Sequence, residues 1–264
     1  MKKAEPACQT TVVKRLTLKG VSEDLDELSV EEPLQITVDG RPLAVAMRTP
    51  GADADLVVGF LKTEGIIQNS DQIEAIELDA RDNEALVFLA DDMQVDWQRL
   101  TRHLFTASSC GLCGKASIDA VRQTHPPLPQ TSERPTFATI VALPDKLRQA
   151  QREFSRTGGL HASGLFTLGG DLLCLREDVG RHNALDKVIG RALTSQVDFS
   201  RTVLLLSGRI SFELMQKALA AGIPTVVGIS APSSLAVDFA RTSGQTLLGF
   251  LRDNQANLYA GSLS

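Results

Sequence analysis

The stretch Val203-Leu204-Leu205-Leu206-Ser207 decides the fold, because a run this apolar and this short is typical of a strand covered on both faces. An amphipathic stretch follows over residues 212–221, and then a second apolar run over 225–229. A second helix is predicted over 235–241 and a third strand over 246–251. Apolar runs that alternate with amphipathic helices predict a largely parallel sheet with helices on both faces. The C-terminal part is therefore predicted to be an α/β domain.

The regions around this unit show weaker patterns of the same kind. In the C-terminal half we predict helices over 143–154 and 182–193, a hairpin of 164–168 with 171–176 around Gly169-Gly170, and a last strand over 257–260. In the first third, Asp39-Gly40 is a type I′ turn signal between strands over 34–38 and 43–47. Asp53 is expected to cap a helix, and two more strands are predicted over 73–78 and 85–89. The first third is therefore a mixed α+β unit.

A proline cluster separates these two parts. Pro126, Pro127, Pro129 and Pro135 interrupt any helix or central strand between them. We predict a Pro-rich linker over residues 122–136. It would join a smaller N-terminal α+β domain, residues 10–121, to a three-layer α/β/α domain, residues 137–264.

Composition narrows the functional classes. The chain has 264 residues, of which 43% are hydrophobic and 22% charged, as in ordinary globular proteins. A net charge of −5 argues against a broad nucleic-acid-binding face. The N-terminus lacks the apolar run of a signal peptide, and no apolar stretch is long enough to span a membrane. We expect a cytoplasmic protein that binds neither nucleic acid nor membrane.

Cys110 and Cys113 form a CxxC motif among small residues and beside Lys115. Three chemistries use this spacing. A structural zinc site needs four ligands, and neither a second CxxC nor a usual histidine spacing completes one. In a thioredoxin-like redox site the motif follows the first strand of a βαβ unit, whereas here it precedes the Pro-rich linker in the middle of the chain. A sulfur relay through a cysteine persulfide needs an exposed thiol of low pKa, which fits best.

The remaining cysteines and one histidine carry less information. Cys174 lies among leucines and is expected to serve packing, whereas Cys8 is placed in a frayed terminus without a role. The zinc deaminase signature is H-x-E followed by P-C-x-x-C, and His161-Ala162-Ser163 lacks its glutamate. His161 itself fits either a core histidine or a proton carrier near the thiols. We expect no metal site.

Three arginine-bearing loops follow predicted strands or open predicted helices. Arg181 and His182 follow Gly180 in a charged run, Ser207-Gly208-Arg209 follows the central strand, and Arg252 ends another strand. Each loop alone is a weak signal, and the charged run alone also fits a solvated turn. Together they suggest a site for a large anionic ligand such as a nucleotide. Arg181, Arg209 and Arg252 are candidates for diphosphate contacts, since a guanidinium matches phosphate oxygens.

Several stretches resemble the formate dehydrogenase accessory sulfurtransferases, the FdhD family. The most specific is Glu177-Asp178-Val179-Gly180-Arg181-His182-Asn183-Ala184-Leu185-Asp186-Lys187. The others are Thr63-Glu64-Gly65-Ile66-Ile67, Cys110-Gly111-Leu112-Cys113-Gly114, Gly158-Gly159-Leu160-His161-Ala162, Ser207-Gly208-Arg209 through Lys217, and Ser230-Ala231-Pro232 onwards into Gly249-Phe250. They cover roughly residues 30 to 260 in the family's order.

The resemblance implies a function. Cys110 and Cys113 would take persulfide sulfur from a cysteine desulfurase. They would pass it to the molybdenum (or tungsten) bis-molybdopterin guanine dinucleotide that formate dehydrogenase needs. It also implies a homodimer and a C-terminal domain with the cytidine deaminase fold, without zinc. A non-catalytic chaperone that inserts the cofactor into formate dehydrogenase is the alternative.

The resemblance also assigns a binding segment, for which GDP is the expected mimic of the cofactor. The candidate cofactor-binding residues are Phe250, Leu251, Arg252, Asp253, Asn254, Gln255, Arg209, Ser207, Arg181 and His182. Family members often carry a glycine-rich Arg-x-Gly-type turn in this segment. Asp253 departs from that pattern, and its carboxylate suits a phosphate neighbour poorly.

Overall fold

The computed structural model describes residues 7–79, 83–93, 95, 97, 125–129 and 133–264. Strands in these residues form a two-stranded ribbon, a four-stranded sheet and a six-stranded sheet. Elements are numbered here in chain order within the described residues. Residues 125–129 and 133–136 contain neither helix nor strand, and the predicted domain limits at 121 and 136 stay predictions. No helix in the described part is long and apolar enough to cross a membrane.

The chain begins with an antiparallel ribbon of β1 (Cys8–Thr17) and β2 (Gly20–Ser29). The expectation that Cys8 lies in a frayed terminus is wrong. Cys8 begins β1, at the end of the ribbon that contacts residues 153–157. Cys8 Sγ donates to Glu153 Oε2, and Ser29 Oγ donates to Thr157 Oγ1. Most of the ribbon's side chains are exposed, including Val12 and Leu16 and their cross-strand partners Leu25 and Val21. Charged residues stand between these apolar ones, which weakens the period-two pattern by which a strand is predicted.

The four-stranded sheet has the order β4-β3-β6-β5. Its strands are β3 (Glu32–Val38), β4 (Arg41–Arg48), β5 (Ile73–Asp79) and β6 (Glu84–Leu89). Asp39 and Gly40 have φ of 47° and 74°, which confirms the predicted turn. Helix α1 (Asp53–Thr63) packs on one face of the sheet. Its N-cap is Ala52 and not the predicted Asp53, whose carboxylate instead accepts two hydrogen bonds from the Arg48 guanidinium.

The six-stranded sheet has the order β12-β11-β10-β9-β7-β8. Its strands are β7 (His161–Thr167), β8 (Leu172–Asp178), β9 (Thr202–Leu206), β10 (Thr225–Gly228), β11 (Thr246–Arg252) and β12 (Gln255–Ala260). Only β9, β10 and β11 pair in parallel. The prediction of a largely parallel sheet is therefore wrong at its flanks, because an antiparallel hairpin closes each side.

Helices cover both faces of this sheet, so the fold is α/β as predicted. The helices after α1 are α2 (Phe137–Val141), α3 (Leu143–Ala150), α4 (Arg152–Thr157), α5 (Arg181–Thr194), α6 (Phe212–Ala221) and α7 (Ser234–Ser243). Residues of α5, α6 and α7 share one apolar core with the sheet, and residues of α2 and α3 share another. The predicted single helix over 143–154 breaks at Gln151, which has an extended ψ of 94°. The likeness to cytidine deaminase stays a prediction.

Candidate functional site

One edge of the six-stranded sheet gathers the ends of four strands. Strands β8, β9, β10 and β11 run in the same direction, so their C-terminal ends meet at this edge. Strand β7 runs the opposite way and begins there with His161, which pairs with Asp178 at the end of β8. Ligands in open α/β sheets bind at the carboxyl ends of strands, so this edge is where a site is expected.

Main-chain hydrogen bonds tie the loops of this edge together. The Ile210 amide donates to the Ala231 carbonyl, and the Ser233 amide donates back to Ile210. The Phe250 amide donates to the Ser230 carbonyl. The loops after β9 and β10 are therefore bonded to each other, and the loop after β10 is bonded to the C-terminal part of β11.

Within the described residues, four basic side chains lie together near the start of β7 and the ends of β8 and β9, and we call them the basic edge: His161, Arg181, His182 and Arg209. Arg209 is exposed and the other three are half-buried. Gly208 lies between them, since a β-carbon there would be 3.1 Å from His161 Nδ1 and 4.0 Å from Arg181 Cδ. The structure thus brings together three predicted residues, Arg181, His182 and Arg209, and adds His161.

Two helix N-termini open at the basic edge. Helix α5 begins after Gly180 and α6 after Ser211, and within the described residues neither N-cap makes a side-chain capping bond. His182 Nε2 links the two helices, lying 2.9 Å from Glu213 Oε2 and 3.5 Å from Ser211 Oγ. This hydrogen bond from His182 lowers the pKa of Glu213. Amides at helix N-termini favour anions, so both helices add to the positive potential of the edge.

Arg181 has an unused donor. Its Nε atom is buried and, across the part of the chain that the structure describes, has no hydrogen-bond partner. Because a buried unpaired donor is costly, a bound acceptor such as a phosphate oxygen would stabilise it. The arrangement suits an anionic ligand.

Asp178 organises the entry to α5. Its carboxylate is fully buried and accepts from the amides of Thr49 and Gly180 and from Asn183 Nδ2. The buried ammonium of Lys187 lies 2.7 Å from it and also donates to the Thr49 carbonyl. Asp178 therefore stabilises the turn that precedes Arg181. Through the Thr49 amide it also connects this turn to the N-terminal unit.

Other residues of the same charged run are also structural. Glu177 accepts from the amides of Glu153 and Phe154, and so caps α4. Asp186 is buried and accepts from Thr63 Oγ1 and from Lys217 Nζ, both of its oxygens lying within 3.0 Å of the ammonium. Burial opposes the charge on Lys217, but the carboxylates of Asp186 and Glu64 outweigh it and raise the pKa of the lysine. These roles were not apparent in the sequence, where the run fits an anion-binding helix start or a solvated turn.

The remaining predicted binding residues lie around the end of β11. Asp253 and Asn254, with φ of 51° and 58°, form the turn to β12, and Arg252 pairs with Gln255 across it. Phe250 is exposed, and the Arg252 guanidinium lies 5.9 Å from its ring centroid. The side chain of Leu251 is only 1% exposed and packs in the core, which leaves its main chain for any ligand contact.

Ser207, the last predicted binding residue, has a structural contact: its Oγ accepts a hydrogen bond from the Ala162 amide at the basic edge.

The four cysteines differ in what the structure shows of them. Cys110 and Cys113 lie outside the described residues. Burial, followed by a hydrogen bond with Glu153, raises the pKa of Cys8 to about 11, and burial raises that of Cys174 to about 11. The described residues contain no group of three or more His, Cys, Asp or Glu side chains that could hold a metal ion.

Comparison with known proteins identifies the relatives of this chain. Residues 29–263 match the FdhD/NarQ family. The chain is 50% identical over 265 residues to the sulfur carrier protein FdhD of Streptomyces avermitilis, covering 94% of this chain and 92% of that protein. It is 44% identical over 235 residues to the sulfur carrier protein FdhD of Sulfolobus acidocaldarius, covering 89% of each.

A solved structure has the same fold. It is the crystal structure of a putative formate dehydrogenase accessory protein from Desulfotalea psychrophila, with a TM-score of 0.79 and 23% sequence identity. The match covers 97% of this chain and 98% of that one. By the extent of these sequence matches, the chain belongs to the FdhD/NarQ family.

Proposed function

We propose that this chain is a sulfur carrier in the maturation of formate dehydrogenase. It would act as a sulfurtransferase that takes persulfide sulfur from a cysteine desulfurase. Its substrate would be the molybdenum (or tungsten) bis-molybdopterin guanine dinucleotide, which it would sulfurate. The observation that carries the proposal is the basic edge, where Arg181, His182 and Arg209 meet beside two helix N-termini. The relatives' printed name, sulfur carrier protein, supports the transfer of sulfur.

The basic edge suits the diphosphates of a guanine dinucleotide. A guanidinium offers paired donors that match phosphate oxygens, and helix N-terminal amides add further donors. Arg181 would contribute its Nε, which has no hydrogen-bond partner among the described residues. Arg209 is exposed to an incoming ligand, and Arg252 ends the neighbouring strand β11. GDP carries the same diphosphate and base and is therefore the probe of choice.

The sulfur would be carried on the CxxC motif. The Cys110 thiolate would attack the terminal sulfur of the desulfurase persulfide, forming a new S–S bond while the bond to the desulfurase cysteine breaks. The desulfurase cysteine leaves as a thiolate, so the step balances without an added oxidant. Cys113 would serve as partner or second acceptor. The high pKa values of Cys8 and Cys174 make those two thiols poor carriers.

Intact-protein mass spectrometry tests the carrier step. After incubation with a cysteine desulfurase and cysteine, the mass should rise by one sulfur atom, and a reductant should remove it. The Cys110→Ala/Cys113→Ala double variant should stay at its starting mass, whereas Cys8→Ala/Cys174→Ala should gain sulfur as the wild type does. Sulfur retained by the first variant and lost from the second would contradict the proposal.

A chaperone without sulfur transfer is the second candidate, since binding a dinucleotide at the basic edge would not require the cysteines. The two functions differ in cells that lack the native protein. If Cys110→Ala/Cys113→Ala binds GDP normally but fails to restore formate dehydrogenase activity, transfer is required. Full restoration by that variant would favour the chaperone. We also propose a homodimer, which sedimentation of the purified protein tests.

A further inference from the structure

The His161 ring is held against the loop that follows β9. The Ala162 amide donates to Ser207 Oγ at 2.9 Å, and the Ser207 amide donates to the Ala162 carbonyl at 3.0 Å. These two bonds hold the start of β7 next to Gly208. Because residue 208 lacks a side chain, the imidazole occupies the space next to it, with Nδ1 3.1 Å from where a β-carbon would be. His161 is thus a fixed part of the basic edge.

Charged side chains surround the His161 ring. Within the described residues its nitrogens make no side-chain hydrogen bond, although it is half-buried. Arg181 and His182 on α5 and Arg209 after β9 disfavour its protonation, and Asp178 on β8 favours it. Burial, followed by the Arg181 charge, lowers the pKa of His161. The lowered pKa favours the neutral ring, which has one nitrogen able to accept a proton.

A phosphate at the basic edge would reverse this balance. Its negative charges would offset those of Arg181 and Arg209, which otherwise oppose an imidazolium, and its oxygens would accept a hydrogen bond from the ring. We propose that His161 contacts the phosphate groups of the ligand bound at the basic edge and takes up one proton from the buffer as they bind. This inference rests on the proposed function and extends it to the proton dependence of binding.

The sign of the effect follows from linkage. If the bound phosphate raises the pKa of His161, the complex holds more protons than the free protein, so affinity rises as the pH falls through that interval. Each pKa unit of increase strengthens binding by about tenfold at pH values below both pKa values. At pH values above both, His161 contributes no proton-linked affinity.

Calorimetry with GDP measures this linkage directly. Wild type and His161→Gln are titrated between pH 5.5 and 8.5, at each pH in two buffers with different ionisation enthalpies, which gives the number of protons taken up. The terminal phosphate of free GDP also titrates, near a pKa of about 6, and this reference state is the same for the wild type and every variant. We expect more proton uptake by the wild type than by His161→Gln, and an affinity gap that widens as the pH falls.

His182 is the other histidine of the basic edge, so His182→Gln is measured alongside. The inference predicts that this variant keeps the uptake that His161→Gln loses. Equal uptake by wild type and His161→Gln, or loss only in His182→Gln, would overturn it while leaving GDP binding intact. Failure of the wild type to bind GDP would instead overturn the site in the proposed function, and the inference with it.

A second measurement uses the wild-type protein alone and therefore does not depend on the folding of a variant. The ring protons of the histidines are followed by NMR through a pH titration, with and without saturating GDP. The His161 resonance should shift its midpoint to higher pH when GDP is present. A midpoint that does not move would overturn the inference.

Discussion

Gly59 of α1 and Gly190 of α5 lie where the two helices cross with their backbones in direct contact. A β-carbon on Gly59 would lie 1.8 Å from the Asp186 carbonyl oxygen, and one on Gly190 would lie 1.9 Å from that of Asp55. Helix α1 covers the N-terminal sheet and α5 begins at the basic edge. Two glycines therefore set how closely the N-terminal unit approaches the candidate site.

Gly59→Ala should destabilise the protein. The added methyl meets backbone atoms, which cannot rotate away, so the helices must separate; overpacking of this kind costs about 3 kcal/mol. Urea unfolding followed by circular dichroism measures the change. Gly169→Ala is the control, because its β-carbon would lie 3.6 Å from the nearest atom, an ordinary contact. Equal midpoints for the two variants would show that the crossing is not tightly packed.

Asp178→Asn should also be strongly destabilising. It leaves the buried Lys187 ammonium without its carboxylate, and breaking a buried pair costs about 3–5 kcal/mol. The same unfolding measurement applies. Asp238→Asn removes one partner of an exposed pair with Arg241 and should stay within about 0.5 kcal/mol of the wild type. A similar small loss in Asp178→Asn would contradict the structural role of this ion pair.

Cys8 and Cys174 should alkylate slowly in the folded protein. A pKa raised from 9.0 to about 11 lowers the thiolate fraction at pH 8 by about a hundredfold for each thiol. Their rates should rise about tenfold per pH unit until the pH approaches 11. Peptide mass spectrometry after timed iodoacetamide treatment gives each rate, and the urea-unfolded protein is the reference. Folded and unfolded rates that agree would show that these thiols are not protected.

Arg209→Ala should weaken GDP binding by about tenfold or more, because a hydrogen bond to a charged group contributes about 1.5–3 kcal/mol. Calorimetry at fixed low salt measures it. Arg241→Ala is the matched control, since Arg241 is an exposed arginine in the last turn of α7. Its affinity should equal that of the wild type. Loss of the same size in both variants would mean that GDP responds to overall charge and not to the basic edge.

The sequence predicts those parts of the fold in which local pattern and burial agree. Buried strands such as β9 are continuous apolar runs, and Asp39-Gly40 adopts the positive φ angles that its turn requires. The ribbon β1–β2 is not predicted, because its apolar residues, such as Val12 and Leu25, are interspersed with charged ones and stay exposed instead of joining a core. The sequence also predicts the wrong cap for α1, because the Asp53 carboxylate binds the Arg48 guanidinium and does not accept from the amides of the first helical turn.

The residues of the candidate site also divide into those that the sequence predicts and those that it does not. Arg181 and Arg209 stand out in the sequence because each follows small residues at a strand end or helix start. Asp178 and Asp186 could not be recognised as buried, since their partners at Thr49, Thr63 and Lys217 are distant in the sequence. Whether a charged residue is solvated or buried depends on such tertiary contacts, which periodicity does not encode.

The charged run of residues 177–187 thus contains residues of two kinds, those that hold the fold together and those that belong to the basic edge. Glu177, Asp178, Asp186 and Lys187 bind other parts of the same chain, and only Arg181 and His182 face the basic edge. A related sequence that kept the four internal residues but replaced the two basic ones would keep the contacts that hold the fold and lose the charges on which the proposed anion binding depends. Recognising this motif in a new protein therefore diagnoses the scaffold, and positions 181 and 182 have to be inspected separately before an activity is assigned.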